Sequence, residues 1–279
     1  VNHSDDPPPI LCVAGPTASG KSARAVALAK EFDGEVISVD SRQVYRMLDI
    51  GTEKTSLEEM DGIPHYLIDI RDPKDPYSAG DFVRDAERLM EEIRARGKRP
   101  ILAGGTHFYF DALLYGLPET TEPDPALREL LEKRSEASLM QEIRERDPRR
   151  AERIDPDNKR RLVRALEIIA AHGHVPERNT EEARHAVEWV ILNPERDELR
   201  ARITARLERA LEHGLIEEVR AIRAYVGDTR LAELGLEYRI IGEYLRDERS
   251  LESLLPSLSS KVWHYARHQK AWLRRLSAD

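Results

Sequence analysis

The sequence predicts an α/β fold, a parallel sheet flanked by helices, interrupted by an inserted domain made only of helices. Three observations carry this. Short apolar runs alternate with helix-like stretches at the pace of a parallel sheet. A Gly-rich loop sits between the first apolar run and the first helix. From Pro118 to about Arg184 the chain becomes Pro-rich at Pro118, Pro123 and Pro125, then heavily charged and helical, without a convincing strand.

The first predicted strand is Ile10-Leu11-Cys12-Val13-Ala14, and Gly15-Pro16-Thr17-Ala18-Ser19-Gly20-Lys21-Ser22 follows it directly. This octet has the pattern G-x-x-x-x-G-K-[ST], which arises by accident in roughly one chain in a hundred of this length. The residues after it, Ala23 to Lys30, are rich in helix formers and contain neither Gly nor Pro. Strand, loop and helix are the arrangement that phosphate binding requires. Glycines let backbone N–H groups close around phosphate oxygens, and the new helix turns its positive end toward them. In such a loop Lys21 reaches a terminal phosphate and Ser22 ligates Mg²⁺. The core is therefore expected to be of the P-loop NTPase-like kind.

Further strands are expected at Glu35–Asp40, His65–Ile70, Arg99–Ala103 and Ala186–Leu192. Ala79–Arg96 reads as a helix, with Phe82, Ala86, Leu89, Met90 and Ile93 at three- and four-residue intervals and Gly97 closing it. After the last strand come a long helical stretch from about Glu195 to Tyr225 and a final helix ending near Arg275. Residues 1–117 and 185–279 are thus expected to form the core, and 118–184 the helical insertion. There is no internal repeat.

A chain of 279 residues with 40% hydrophobic content can bury a sizeable core. Its single cysteine, Cys12, excludes an intrachain disulfide and reads as a buried structural thiol. No apolar stretch is long enough to cross a bilayer, and Val1 to Pro9 lacks the layout of a signal peptide. A cytoplasmic protein with a loose N-terminal tail is expected. The net charge of −8 argues against nucleic acid only as an average. Between Arg146 and Arg164 eight basic residues face four acidic ones, and Lys261 to Arg275 holds five basic residues and no acidic one. Either segment reads equally as a solvated helical face.

Ligands of parallel sheets collect at the carboxyl ends of the strands. The second strand ends at Asp40, a general base or metal-associated acid, or else a helix cap with Gln43 three residues on. The fourth runs into Gly104-Gly105-Thr106, where Thr106 either donates to a substrate or caps the helix through Phe108 to Leu114. In the late helical stretch Arg202 and Arg206 share a face, as an anion clamp or as a salt-bridged surface. In the insertion Arg160 and Arg164 lie opposite Leu162, Leu166 and Ile169, as contacts to a phosphate backbone require.

Taken together these segments resemble the tRNA dimethylallyltransferase (tRNA isopentenyltransferase) family. The matching residues are the octet Gly15 to Ser22, Ser38-Val39-Asp40-Ser41-Arg42-Gln43-Val44-Tyr45-Arg46, Asp49-Ile50-Gly51-Thr52-Glu53-Lys54, Gly62-Ile63-Pro64-His65 and Tyr77-Ser78-Ala79. Pro100 to Thr106, Arg161 to Glu167 and Tyr265-Ala266-Arg267-His268-Gln269 continue the match, in order and over most of the chain. The resemblance implies transfer of a dimethylallyl group from dimethylallyl diphosphate to N6 of adenosine 37 of tRNA, beside the anticodon, with release of diphosphate. It implies that Asp40 is the base, that Gly15 to Ser22 hold the diphosphate with Mg²⁺ on Ser22, and that Thr17 and Arg206 lie at the donor. It further implies that Asp40, Ser41, Arg42, Gln43 and Thr106 lie near the extruded base and that Arg160, Arg161 and Arg164 grip the anticodon stem-loop. A monomer is expected.

The pattern is broken in two places. Glu237-Tyr238-Arg239 stands where Gly-Tyr and a basic residue are common, and Arg267-His268 where Lys-Arg is common. No zinc-finger spacing follows, which aligns the chain with the bacterial type. Other readings are a P-loop kinase of small, ATP-phosphorylated metabolites, a prenyltransferase of free adenine nucleotides, and a nucleotide-dependent RNA-binding switch.

Overall fold

Ile10–Ala14 (β1) is buried at every position, as an interior strand with helices on both faces must be. In the computed structural model, which describes residues 8–117, 124–177 and 183–276, it leads through the Gly-rich loop into Lys21–Glu31 (α1). Asp33, left-handed at φ 50°, turns the chain into Gly34–Val39 (β2). A short helix, Leu57–Met60 (α2), is opened by a capping box between Ser56 and Glu59. Then come His65–Tyr66 (β3), Ala79–Ala95 (α3), Arg99–Gly104 (β4) and His107–Tyr115 (α4). The five apolar residues expected to line one side of α3 are its buried residues.

The strand expected at His65–Ile70 ends at Tyr66, because Leu67 and Asp69 take left-handed φ values of 61° and 56°. That segment bonds to the loop after β2 instead, through Asp69 N–H to Gln43 O and Arg71 N–H to Val44 O.

Four helices follow in the insertion: Pro125–Glu132 (α5), Glu136–Arg146 (α6), Pro148–Ala151 (α7) and Lys159–His172 (α8). The chain then returns as Val187–Ile191 (β5), Arg196–Glu212 (α9), Leu215–Glu233 (α10), Leu236–Leu245 (α11) and Leu254–Leu276 (α12). The helical stretch expected over Glu195 to Tyr225 is two helices, broken where Gly214 adopts φ 97°. Most of the expected N-terminal tail, and Pro118 and Pro123, lie outside the described residues.

The strands form one parallel sheet in the order β3-β2-β4-β1-β5. Register places Ala14 opposite Gly104 and Gly104 opposite Val39, so three strands end at one level. Gly104 is forced by this alignment, since a Cβ there would lie 2.1 Å from the Val39 carbonyl oxygen.

Contacts divide the chain into two units, Val1–Leu114 with Arg184–Asp279, and Tyr115–Ala183. The larger has its main core between the sheet and helices α3, α4 and α9 to α12. The smaller has its own core, with Leu139, Ile143, Leu162 and Leu166 at its centre. Inside it buried Glu167 accepts both arms of Arg128, at 2.8 and 2.9 Å.

Candidate active site

A cavity of about 730 Å³ opens at the level where β1, β2 and β4 end, a size typical of small-molecule sites. The Gly-rich loop forms one side. Its backbone is fixed by Ala18 at φ 61° and Gly20 at φ 85°, and a Cβ on Gly15 would crowd Ser19 Oγ at 2.5 Å and the Leu192 carbonyl oxygen at 3.0 Å. α1 begins at Lys21, with no side chain capping it. Its first N–H groups are therefore left for an anion, as the motif predicts. Ser19 Oγ is buried and has no hydrogen-bond partner among the described residues. Lys21 Nζ donates to Pro16 O at 3.2 Å. Burial pulls the Lys21 pKa down, against the opposing pull of Asp40 and Glu53. Ser22 lines the same cavity.

Asp40 follows β2. Its Oδ1 accepts from Arg42 N–H at 2.8 Å and Gln43 N–H at 3.2 Å. No helix follows for Asp40 to cap, since residues 41–44 form a turn and the Gln43 side chain bonds elsewhere; the Asp40 side chain closes that turn instead, which fixes the carboxylate at the cavity wall. Ser41 N–H donates to Thr106 Oγ1 at 3.1 Å, tying the ends of β2 and β4 together. Arg42 reaches the Glu233 carbonyl at 2.7 Å, and Gln43 binds Ser38 Oγ and the carbonyls of Thr52 and Glu53.

The two arginines of α9 both line the cavity but differ in enclosure and partners. Arg202, about half exposed, pairs with Glu198 one turn away, as a surface salt bridge. Arg206 is 12% exposed and enters the cavity. Its Nη1 donates to Thr17 Oγ1 at 2.7 Å and to Glu53 Oε2 at 3.3 Å, and its Nη2 to Glu237 Oε1 at 3.2 Å.

Arg160, Arg161 and Arg164 belong to α8 in the smaller unit. Arg160 and Arg161 are exposed, whereas Arg164 is half-buried and donates to Glu167 at 3.1 Å. Its place on the outward face is thereby shared with an inward ion pair.

Three groups of this site escape a reading of motif chemistry. Gln269 of α12, buried, accepts from Thr17 N–H at 2.9 Å and donates to Gly105 O at 2.8 Å, clamping the phosphate loop to the end of β4. Tyr265, one turn earlier, has part of its surface open, but its hydroxyl is desolvated in the cavity. That desolvation, with Asp40 nearby, pushes its pKa up to about 12. Glu218 of α10 accepts from the N–H groups of Asp49, Ile50 and Gly51 at 3.0, 2.6 and 3.0 Å and from Tyr238 Oη at 2.8 Å, fixing the loop that carries Glu53.

The family model described as IPP transferase matches residues 43–276. The chain belongs to the IPP transferase family. A tRNA dimethylallyltransferase from Thermomicrobium roseum is 46% identical over 280 residues, covering 96% of this chain and 84% of that one. A crystal structure of the full-length tRNA isopentenylpyrophosphate transferase from Bacillus halodurans aligns with a TM-score of 0.70 at 37% identity, covering 95% of this chain and 86% of that one. A eukaryotic dimethylallyltransferase acting on tRNA aligns with a TM-score of 0.81 at 27% identity, covering 95% and 69%. The P-loop-like architecture of this IPP transferase family member is that of its solved relatives.

Glu237, where the sequence departs from the expected pattern, puts a carboxylate on the cavity wall. Nothing in the sequence pointed from Glu237 to Arg206, thirty-one positions earlier. Among the described residues no helix is long and apolar enough to cross a membrane.

Proposed function

We propose that this chain is a tRNA dimethylallyltransferase that moves the dimethylallyl group of dimethylallyl diphosphate to N6 of adenosine 37, beside the anticodon. One observation carries the reading: the phosphate loop, Asp40, Thr106 and Arg206 line a single cavity at the ends of three strands. The loop N–H groups, Lys21, Ser19 Oγ and Arg206 face the diphosphate, and Thr17 bridges loop and arginine. Adenine's exocyclic amine is a weak nucleophile because its lone pair is delocalised into the ring. As N6 attacks C1 of the donor, the C1–O bond breaks, diphosphate leaves with the bonding pair, and Asp40 takes the N6 proton. Charge builds on the departing oxygens, where the loop and Arg206 stabilise it.

Ser22 is a hydroxyl donor with the Asp40 carboxylate in the same cavity. Among the described residues there is no cluster of three His, Cys, Asp or Glu side chains that could hold a metal. Such a sparse oxygen set suits Mg²⁺, which keeps several waters and takes its remaining ligands from substrate phosphates. Bound on Ser22, it would neutralise part of the leaving group's charge.

The target base leaves its stack to reach this depth, at a cost of a few kcal/mol that is least in a loop. Arg160, Arg161 and Arg164 contact the anticodon stem-loop, with Ser41, Arg42, Gln43 and Thr106 near the extruded base. The chain works as a monomer in the cytoplasm.

The test incubates the purified chain with dimethylallyl diphosphate and tRNA from a strain lacking the modification, without ATP. Diphosphate release must require both substrates, and mass spectrometry must find a five-carbon unit on adenosine 37. Asp40→Asn should lower kcat by roughly 10²- to 10⁴-fold, the usual worth of a positioned base. Wild-type turnover in that variant would remove Asp40 from the base role.

A further inference from the structure

We infer that Glu237 is an internal competitor of the diphosphate for Arg206, and that it sets how tightly this enzyme holds its donor and its diphosphate product. The inference rests on the donor-site reading above. Arg206 presents a planar fork suited to two phosphate oxygens, yet the fork is engaged: Thr17 and Glu53 take one arm and Glu237 takes the other. A diphosphate taking the Nη1–Nη2 fork competes with the carboxylate oxygens already on it.

The two carboxylates differ in weight. Glu53 is 54% exposed, so water and salt screen it. Glu237 is 16% exposed, nearly as enclosed as the arginine it faces, and its charge acts at close to full strength. In the empty site Glu237 prevents Arg206 from being an uncompensated buried charge. In the filled site the same carboxylate, on the wall of the cavity, repels the diphosphate and favours its departure. Where the family pattern commonly has Gly, no side chain can do this, so the device belongs to chains with Glu at this place.

The test is calorimetric titration of the full chain with inorganic diphosphate, paired with steady-state kinetics. Glu237→Gln keeps the size and an acceptor oxygen but loses the charge. It should bind diphosphate about fivefold more tightly, the scale of one lost charge contact. The KM for donor should fall in parallel, product inhibition should strengthen, and the KM for tRNA should stay within about twofold. Glu237→Ala should move affinity the same way, and Glu53→Gln should change it by less than about twofold. Unchanged or weaker diphosphate binding in Glu237→Gln would overturn the inference, the weaker result meaning that Glu237 holds Arg206 in place for the donor. If the wild-type chain bound no diphosphate at all, the donor-site reading itself would fall and take this inference with it.

Discussion

Replacing Gln269 by Ala is the sharpest probe of how this site is held. The side chain makes two hydrogen bonds, from Thr17 N–H at 2.9 Å and to Gly105 O at 2.8 Å, and the residue is 3% exposed. Truncation leaves a backbone donor and a backbone acceptor without partners in a place water reaches poorly. Each orphaned group costs about 1–2 kcal/mol, so about 3 kcal/mol is expected, more than a hundredfold in the folding equilibrium. Urea unfolding followed by tryptophan fluorescence measures it cleanly, because Trp189, Trp263 and Trp272 all lie in the unit that contains Gln269. The KM for donor should rise as well, since the phosphate loop loses its tether to β4. A stability loss below about 0.5 kcal/mol, the level of an indifferent surface change, would refute the clamp.

Two other outcomes follow from the same structure. Glu218→Ala removes the acceptor of three backbone N–H groups and of the Tyr238 hydroxyl, and should cost about 3 kcal/mol in the same unfolding assay. Because the loop it holds carries Glu53, protease nicking near residues 49–53 should appear in the variant and not in the parent. His65 gives a pH effect. Its Nδ1–H donates to Ile63 O at 2.9 Å, Nε2 is buried without a partner among the described residues, and burial pulls its pKa below 6.5. The unfolded chain therefore binds the proton more readily, and stability drops as pH falls through that ordinary value. His65→Gln should flatten the dependence between about pH 7.5 and 5.5, and an unaltered slope would assign it to other groups.

Much of the core was legible because its signals are local. β1 is an unbroken apolar run, the phosphate loop is a spaced pattern, and α3 shows its buried side at helical intervals. The rest depends mostly on partners distant in sequence. The run from His65 to Ile70 reads as a strand, but Leu67 and Asp69 are left-handed and the loop after β2 takes the N–H groups of Asp69 and Arg71. Gly214 does not announce the break between α9 and α10, because one glycine in a charged helical stretch is a weak stop. Arg202 and Arg206 share a helix face in sequence, and only packing decides that one meets Glu198 and the other Thr17. Gln269 lies 252 positions from its partner Thr17, so no pattern along the chain could announce the contact.

The buried Cys12 has a practical consequence. It lies in the middle of β1, fully enclosed, and burial pushes its thiol far above the ordinary value, so at neutral pH it is neither ionised nor reachable. As the chain's single cysteine, it leaves the native protein chemically silent to maleimides. One cysteine placed at exposed Glu31 in the larger unit and another at exposed Glu145 in the smaller would then be the reactive thiols, ready for a fluorophore pair that reads the distance between the units as tRNA is added, with no native residue to be removed first.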